Sequence, residues 1–178
     1  MKTPTLAELK KGFLYPARTT VAAVAALLAA RALGMAEYYW APVSAVIVVQ
    51  SDFGSSLQLS WQRLVGTAIG VTLAAVAAES LGRSVIVYAC GLLCAGLLSV
   101  LLRLARPANR FAAIAFTIVF LVQRAQPPWV VALHRFVEVS LGIVAGLLLS
   151  AVWPEPPAAN PQAQPIEPGR STPEPPPT

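Results

Sequence analysis

Six apolar segments follow one another along the chain, and they limit its fold more than any other feature. They are residues 17–35, 38–50, a segment that ends near 81, 85–102, 111–122 and 130–153. Of all residues, 56% are hydrophobic and 12% are charged, whereas soluble domains average about 25% charged residues. A soluble core could not bury so many long apolar runs. The pattern predicts an all-α polytopic membrane protein with about six transmembrane helices.

The third and sixth segments share a stripe of small residues that begins with an arginine. In the third segment the stripe consists of Arg63, Gly66, Gly70 and Ala74, at helical spacing. In the sixth it consists of Arg135, Glu138, Gly142 and Gly146, each 72 positions later. This offset predicts two three-helix repeats. Because three spans is an odd number, the second repeat would enter the membrane from the opposite side, as in many transporters.

The second and fifth segments are the short members of the two repeats. A bilayer takes about 20 helical residues, and both segments are shorter than that. Pro42 interrupts the second segment, and Tyr38, Tyr39 and Trp40 precede it as an interfacial aromatic anchor. Short or interrupted spans at corresponding positions indicate the binding region of a transporter.

The two ends of the chain differ from the membrane part. Residues 1–16 are basic and amphipathic, which predicts a short helix lying on the membrane surface before the first span. That span, with Ala30-Arg31-Ala32, could also be a signal peptide with a cleavage site, although Arg31 argues against it. Residues 154–178 include ten prolines, which predicts a disordered cytoplasmic tail, either plain or a proline-rich ligand. The transmembrane domain is therefore expected over residues 17–153.

The basic residues predict the orientation of the chain in the membrane. With the N-terminus inside, the cytoplasmic side holds Lys2, Lys10, Lys11, Arg18, Arg63, Arg103, Arg106 and Arg110. The outer side then holds Arg31, Arg83, Arg124 and Arg135. Eight basic residues on the cytoplasmic side against four on the outer side favour a multi-pass protein of the bacterial inner membrane with both termini in the cytoplasm.

Several function classes find no support in the sequence. The net charge of +5 comes from scattered residues rather than a basic stripe, so nucleic-acid binding is not expected. Cys90 and Cys94 are four apart in one apolar helix, and His134 is the only histidine, so we expect small apolar fillers rather than a disulfide or a metal site. We expect no enzyme activity and no cofactor.

Four residues are candidates for binding a small organic anion: Arg63, Arg135, Trp40 and Gln50. An arginine at the membrane centre costs about 2.5–3.5 kcal/mol, which favours a functional role, but one near a helix start can also reach the interface. Both arginines share the small-residue stripe, which should turn them towards neighbouring helices rather than lipid. There an arginine can pair with a carboxylate, a helix C-terminus or an anionic substrate.

Two acidic residues are candidates for proton coupling, Glu138 and Asp52. Glu138 takes the position of Gly66 in the repeat and lies one turn after Arg135, so it either forms an intrahelical ion pair or accepts a proton during transport. Asp52 ends the short second segment and either lines a polar cavity or is solvated in a loop. His134 could extend a proton relay or simply lie at the interface.

The glycines of the two stripes predict close helix packing. The pairs are Gly66 with Gly70, and Gly142 with Gly146. Small residues four apart let two helix backbones approach each other in a membrane. Packing within the helix bundle is the first expectation, and dimerisation is the second.

Two segments, residues 39–46 and residues 63–70, resemble the fusaric acid resistance and aromatic acid exporter family. The first begins with Tyr39-Trp40, and the second runs from Arg63 to Gly70. The last span, from Arg135 to its closing Trp153, is similar to that family too. The resemblance implies an inner-membrane six-helix module that exports aromatic carboxylic acids, driven by the proton gradient. Larger members carry a cytoplasmic domain that this chain does not show, which favours a homo-oligomer or a partner subunit. The alternative is a non-transporting membrane module that assembles with or regulates another protein.

Overall fold

The computed structural model describes residues 6–49, 53–122 and 125–153, with side chains from Phe13 onward. All regular structure in these ranges is helical, which confirms the predicted all-α class. The helices are α1 (Leu6–Ala32), α2 (Trp40–Val48), α3 (Phe53–Ser80), α4 (Val85–Leu101), α5 (Arg106–Leu121) and α6 (Pro128–Val152).

Three of the six helices are long and apolar enough to cross a membrane. The spanning stretches are Phe13–Ala32 within α1, the whole of α3 and the whole of α6. Six helices are present among the described residues, as expected; three of them have spanning length and three are shorter. The nine residues of α2 extend about 14 Å, less than half of a hydrocarbon core about 30 Å thick. At its end, Val49 already has an extended backbone.

The first helix does not begin at Pro16, as a separate surface helix before the first span would require. Instead α1 is continuous through Pro16. Proline has no N–H to donate to the carbonyl four residues earlier, so this turn lacks one helical hydrogen bond. Two threonines add hydrogen bonds just after the proline, from Thr19 Oγ1 to the carbonyl of Tyr15 (3.0 Å) and from Thr20 Oγ1 to that of Pro16 (2.7 Å).

The helix contacts place α3 and α6 at the centre of the molecule. These two helices pack on each other, α3 also packs extensively on α5, and α6 packs on α2. On the outside, α1 packs on α2 and α6, whereas α4 packs on α5 and α3. Each central helix therefore lies between the other one and a short helix.

The two central helices run antiparallel. Ser56, in the first turn of α3, lies with its hydroxyl oxygen 3.2 Å from that of Ser150, near the end of α6. The start of α3 and the end of α6 thus share one end of the molecule. The α3–α4 loop and the start of α6 lie at the other end.

Small residues fill the inside, and large apolar residues face outward. One buried cluster joins α1 and α2 through Ala22, Ala26, Ala30, Ala41 and Ala45. A second joins α3, α5 and α6 around Phe116 and Phe120. In contrast, leucines at positions 28, 97 and 148 are each about 60% exposed. Small residues between helices and large apolar residues on the outside are typical of a membrane protein.

Candidate functional site

The stripe glycines lie where the central helices touch the short ones. A Cβ atom added at Gly70 would overlap the carbonyl oxygen of Ala112 in α5, and one at Gly142 would overlap that of Ala41 in α2. These pairs of helices are therefore in direct backbone contact, because glycine has no side chain.

The other two glycines extend these contacts by one turn. A Cβ at Gly66 would overlap the carbonyl oxygen of Ala108 in α5. A Cβ at Gly146 would lie 3.1 Å from Val48 Cγ1 and 3.2 Å from the carbonyl oxygen of Ala45. Within the described residues, all four glycines thus serve contacts inside the bundle.

Arg63 extends from α3 into a gap between α2 and α5. Its Nη2 donates a hydrogen bond to Ser44 Oγ in α2 at 3.0 Å. Its guanidinium carbon lies 4.9 Å from the centre of the Phe111 ring in α5, a cation–π contact. The Nε of Arg63 has no hydrogen-bond partner among the described residues. The residue is only 6% exposed.

Arg135 occupies the matching place on α6. Its guanidinium carbon lies 3.4 Å from the centre of the Trp40 ring in α2. Its Nη1 is 3.9 Å from an Oε atom of Glu138, one turn along the same helix, an ion pair too long for a hydrogen bond. Both Nε and Nη1 of Arg135 lack hydrogen-bond partners within the described ranges. Arg135 and Glu138 are 3% and 1% exposed.

Both arginine side chains are buried inside the helix bundle, at 6% and 3% exposed, and neither extends outward from it. Arg63 lies ten residues after Phe53, nearly three turns inside α3, and Arg135 lies about two turns inside α6. Both guanidinium groups are held between helices by aromatic rings. Ring contacts, together with Ser44 for Arg63 and Glu138 for Arg135, thus offset part of the cost of burying the two charges.

The two arginines line one small cavity. Its walls are Arg63, Thr67, Phe111, Ile114, Ala115, Arg135 and Val139. Its volume of about 10 Å³ is enough for about one water molecule. Among the described residues, the wall carries two guanidinium groups and no carboxylate. Unbonded N–H groups in such a place can receive a carboxylate, because guanidinium and carboxylate form paired hydrogen bonds.

The remaining candidates from the sequence lie away from this cavity or outside the described residues. Gln50 and Asp52 fall outside the described residues. His134 is exposed, and its Nδ1 lies 2.9 Å from the carbonyl of Val130 on the same helix. Cys90 and Cys94 are free and exposed on α4. Within the described residues, no group of three His, Cys, Asp or Glu side chains could hold a metal ion.

Sequence reasoning missed a third buried arginine, Arg18 of α1, which it treated as a topology signal. Arg18 is 1% exposed and donates from Nη2 to Ser150 Oγ at 3.0 Å. Because Ser150 also meets Ser56, this group connects three helices at the end where α3 begins. Ser150, a serine within an otherwise apolar run, was the sequence signal for it.

The comparison with protein families agrees with this architecture. The profile of the family described as fusaric acid resistance protein-like matches residues 23–149. This range includes the last ten residues of α1, all of α2 to α5 and most of α6, together with both arginine–aromatic contacts. Comparisons with curated proteins and with solved structures give no significant match. The chain therefore belongs to the fusaric acid resistance protein-like family, a family of membrane transport proteins.

Proposed function

We propose that the protein exports organic anions, aromatic carboxylates first among them, across the bacterial inner membrane. One observation carries the proposal: Arg63 and Arg135, from the two central helices, line a single cavity inside the bundle. In this low-dielectric interior, two cations attract an anion far more strongly than in water. The unbonded N–H groups at Arg63 Nε and at Nε and Nη1 of Arg135 supply the hydrogen bonds. Family membership supports transport as the activity.

The aromatic rings beside the arginines support an aromatic substrate. Phe111 lines the cavity, and Trp40 stacks on Arg135 just beyond it. A substrate with a carboxylate and a ring could pair with a guanidinium and pack its ring beside these side chains. An aliphatic acid of the same charge would gain only the first of these interactions.

Substrate entry requires the helices to move, because the cavity of about 10 Å³ is smaller than any organic acid. The contacts that must open are those of α3 with α5 and of α6 with α2. We propose that these are equivalent contacts of two inverted three-helix repeats. In support, Arg63 and Arg135 are 72 positions apart, whereas their ring partners Trp40 and Phe111 are 71 apart. Opening one contact while the other stays closed would then expose the site to alternate sides.

Proton coupling is assigned to Glu138, with Asp52 as the second candidate. Glu138 is buried beside Arg135, and it stands where the first repeat has Gly66. Export driven by an inward proton gradient requires the anion and the proton to be carried in alternate steps. In this proposal Glu138 takes up a proton from outside after the anion has left, and releases it inside before the next anion binds.

The orientation with both termini in the cytoplasm remains part of the proposal. If the three buried arginines at 18, 63 and 135 are left out, six basic residues remain on the cytoplasmic side and three on the outer side, which still favours this orientation. We also propose that the working unit contains a second copy or a partner subunit. In support, α4 buries only Ala95 and Ser99.

A second function, a non-transporting assembly or regulatory module, is favoured by the small size of the cavity. In that case the arginine–aromatic contacts would lock the bundle rather than bind a ligand. Substrate counterflow in proteoliposomes with a panel of aromatic acids separates the two functions. Transport predicts saturable exchange of at least one acid. The module predicts no exchange of any acid by protein that is folded and inserted.

Arginine variants sharpen this test. We expect Arg63→Gln and Arg135→Gln each to reduce counterflow about 10- to 100-fold, because a hydrogen bond to a charged group contributes about 1.5–3 kcal/mol. Arg63→Lys should keep part of the activity, since it keeps the charge but loses the planar fork. The matched control is Arg110→Gln, at an exposed arginine of α5, which should transport normally. If the central variants lose membrane abundance but retain activity per molecule, the arginines serve packing alone.

A further inference from the structure

A second cationic site lies at the end of the molecule where α3 joins α4. Arg83, in the loop between these helices, donates from Nη1 to the carbonyl oxygens of Phe120 (2.9 Å) and Val122 (3.2 Å). Phe120 belongs to the last turn of α5 and Val122 is its C-cap residue, so the helix itself offers these carbonyls no donor. The guanidinium is thus held in place by the negative end of a helix.

The other edge of the same guanidinium, Nε and Nη2 of Arg83, makes no hydrogen bond within the described residues, whereas Nη1 makes two. Nε and Nη2 form one side of the planar fork, and that side can bind both oxygens of a carboxylate. Arg83 therefore combines a fixed position with an unused bidentate edge.

A cavity of about 270 Å³ adjoins this arginine. It is lined by Arg83, Ser84, Val85, Tyr88, Phe120 and Leu121. The Ser84 hydroxyl already accepts a hydrogen bond from the N–H of Val87, where it caps α4. Arg83 is consequently the charged group of the cavity within the described residues. The volume is slightly below the range of about 300–1,000 Å³ typical of sites for drug-sized ligands, which indicates a ligand with a single ring.

Two aromatic rings form the wall beside the charge. The centres of the Tyr88 and Phe120 rings are 6.0 Å apart, with their planes tilted by 33°. The hydroxyl of Tyr88 lies 3.1 Å from Thr117 Oγ1, a hydrogen bond that fixes the direction of the ring. A ligand ring could pack on Tyr88 while its carboxylate meets Arg83.

We propose that this cavity binds a small aromatic carboxylate, through a bidentate contact to Arg83 and ring contacts to Tyr88 and Phe120. The inference rests on the proposed function for its substrate class and adds a second site for that class. It would hold the anion at the α3–α4 end of the molecule, apart from the central arginines. A phospholipid headgroup could supply an anion too, but its phosphate would make no use of the aromatic wall.

Fluorine NMR of fluorotyrosine-labelled protein in nanodiscs tests the site directly. The chain has four tyrosines, so a Tyr88→Phe variant assigns the Tyr88 resonance. Benzoate should shift that resonance saturably, and cyclohexanecarboxylate should bind about 3- to 10-fold more weakly because it lacks the aromatic ring. Arg83→Gln should weaken benzoate binding by at least about tenfold, and Arg83→Lys by less. As a matched control, Arg31→Gln removes an exposed arginine that lies 4.9 Å from the ring of Tyr38, and it should not change the Tyr88 response.

Three results would overturn the proposal: an unchanged Tyr88 resonance, an equal response in Arg83→Gln, or equal displacement of benzoate by phosphatidylglycerol nanodiscs or inorganic phosphate. The last would identify a headgroup or general anion site instead. The result is independent of counterflow. Benzoate binding at Tyr88 without counterflow would contradict the proposed function and support this site. Counterflow with an unchanged Tyr88 resonance would support the proposed function and contradict this site.

Discussion

The guanidinium carbon of Arg135 lies 3.4 Å from the centre of the Trp40 ring, so an arginine of the last helix stacks on the first residue of the second helix. In the other central helix, Arg63 lies 4.9 Å from the centre of the Phe111 ring. Each central helix thus inserts its arginine against an aromatic ring of a short helix. The two contacts differ, because the closer one also includes the buried carboxylate of Glu138.

Replacing Trp40 should destabilise the bundle through the loss of this contact. A desolvated cation–π pair contributes about 2 kcal/mol, so we expect Trp40→Leu to lower the free energy of unfolding by at least that amount. A double-mutant cycle with Arg135→Met should give a coupling of about 1–2 kcal/mol. Equilibrium unfolding in mixed micelles measures both quantities. Trp61, which is 64% exposed, is the control, and an equal loss in Trp61→Leu would contradict the prediction.

The stripe glycines should not tolerate even a methyl group. Gly70→Ala and Gly142→Ala would each push an added Cβ into a backbone carbonyl of the facing helix, so we expect a loss of about 1–3 kcal/mol in unfolding free energy. Gly96, on α4, is the matched control, because its Cβ would meet only Asn109 Oδ1 at 3.8 Å. Gly96→Ala should be neutral or stabilising by up to about 1 kcal/mol, since alanine favours helix. Thermal unfolding in nanodiscs compares the three variants. Similar melting temperatures would show that the helices can move apart to accept a methyl group without loss of stability.

Ser44 of α2 should help to stabilise the buried guanidinium of Arg63, which belongs to α3. Its hydroxyl donates to the carbonyl of Trp40 at 3.0 Å and accepts a hydrogen bond from Arg63. Ser44→Ala should therefore cost about 1.5–3 kcal/mol, the usual contribution of a hydrogen bond to a charged group. The matched control is Ser99→Ala, because Ser99 is equally buried but bonds only the carbonyl of Ala95, four residues earlier. Unfolding titrations that give the two variants the same stability would show that Arg63 does not depend on Ser44.

Apolar periodicity was enough to predict the helical class, the two glycine stripes and the shortness of the second and fifth helices. It could not show that the shortest helix, α2, would cover less than half a bilayer, because Pro42 and the polar residues after it interrupt the apolar run without locating its ends. It gave Glu138 as a possible partner of Arg135, and the structure has that ion pair, but it gave no ring partner for either arginine. Trp40 and Phe111 belong to the opposite halves of the chain from the arginines they contact, and sequence spacing within one helix does not report such contacts.

The same limit explains why Arg18 was interpreted as a topology signal. Its partner Ser150 is 132 positions away, and neither residue is distinctive by itself. Only the antiparallel packing of α3 and α6, with α1 beside α6, brings the arginine to the two serines.

This buried group gives the last prediction, that Ser150→Ala loosens the end of the molecule at which α3 begins. The variant removes the hydrogen bond from Arg18 at 3.0 Å and the contact with Ser56 at 3.2 Å, so we expect a loss of about 1.5–3 kcal/mol in unfolding free energy. Ser140 on the same helix is the matched control, since its hydroxyl bonds only the carbonyl of Phe136, and Ser140→Ala should change stability by less than about 1 kcal/mol.

Hydrogen exchange locates the same effect along the chain. Ser150→Ala should increase amide exchange in the first turns of α3 and the last turns of α6, where the lost hydrogen bonds connected the helices. The opposite ends, near Glu79 and Trp129, should exchange as before, because their contacts do not involve Arg18. A uniform increase along both helices would instead mean that the whole bundle is destabilised, and Arg18 would then have no local role at this end.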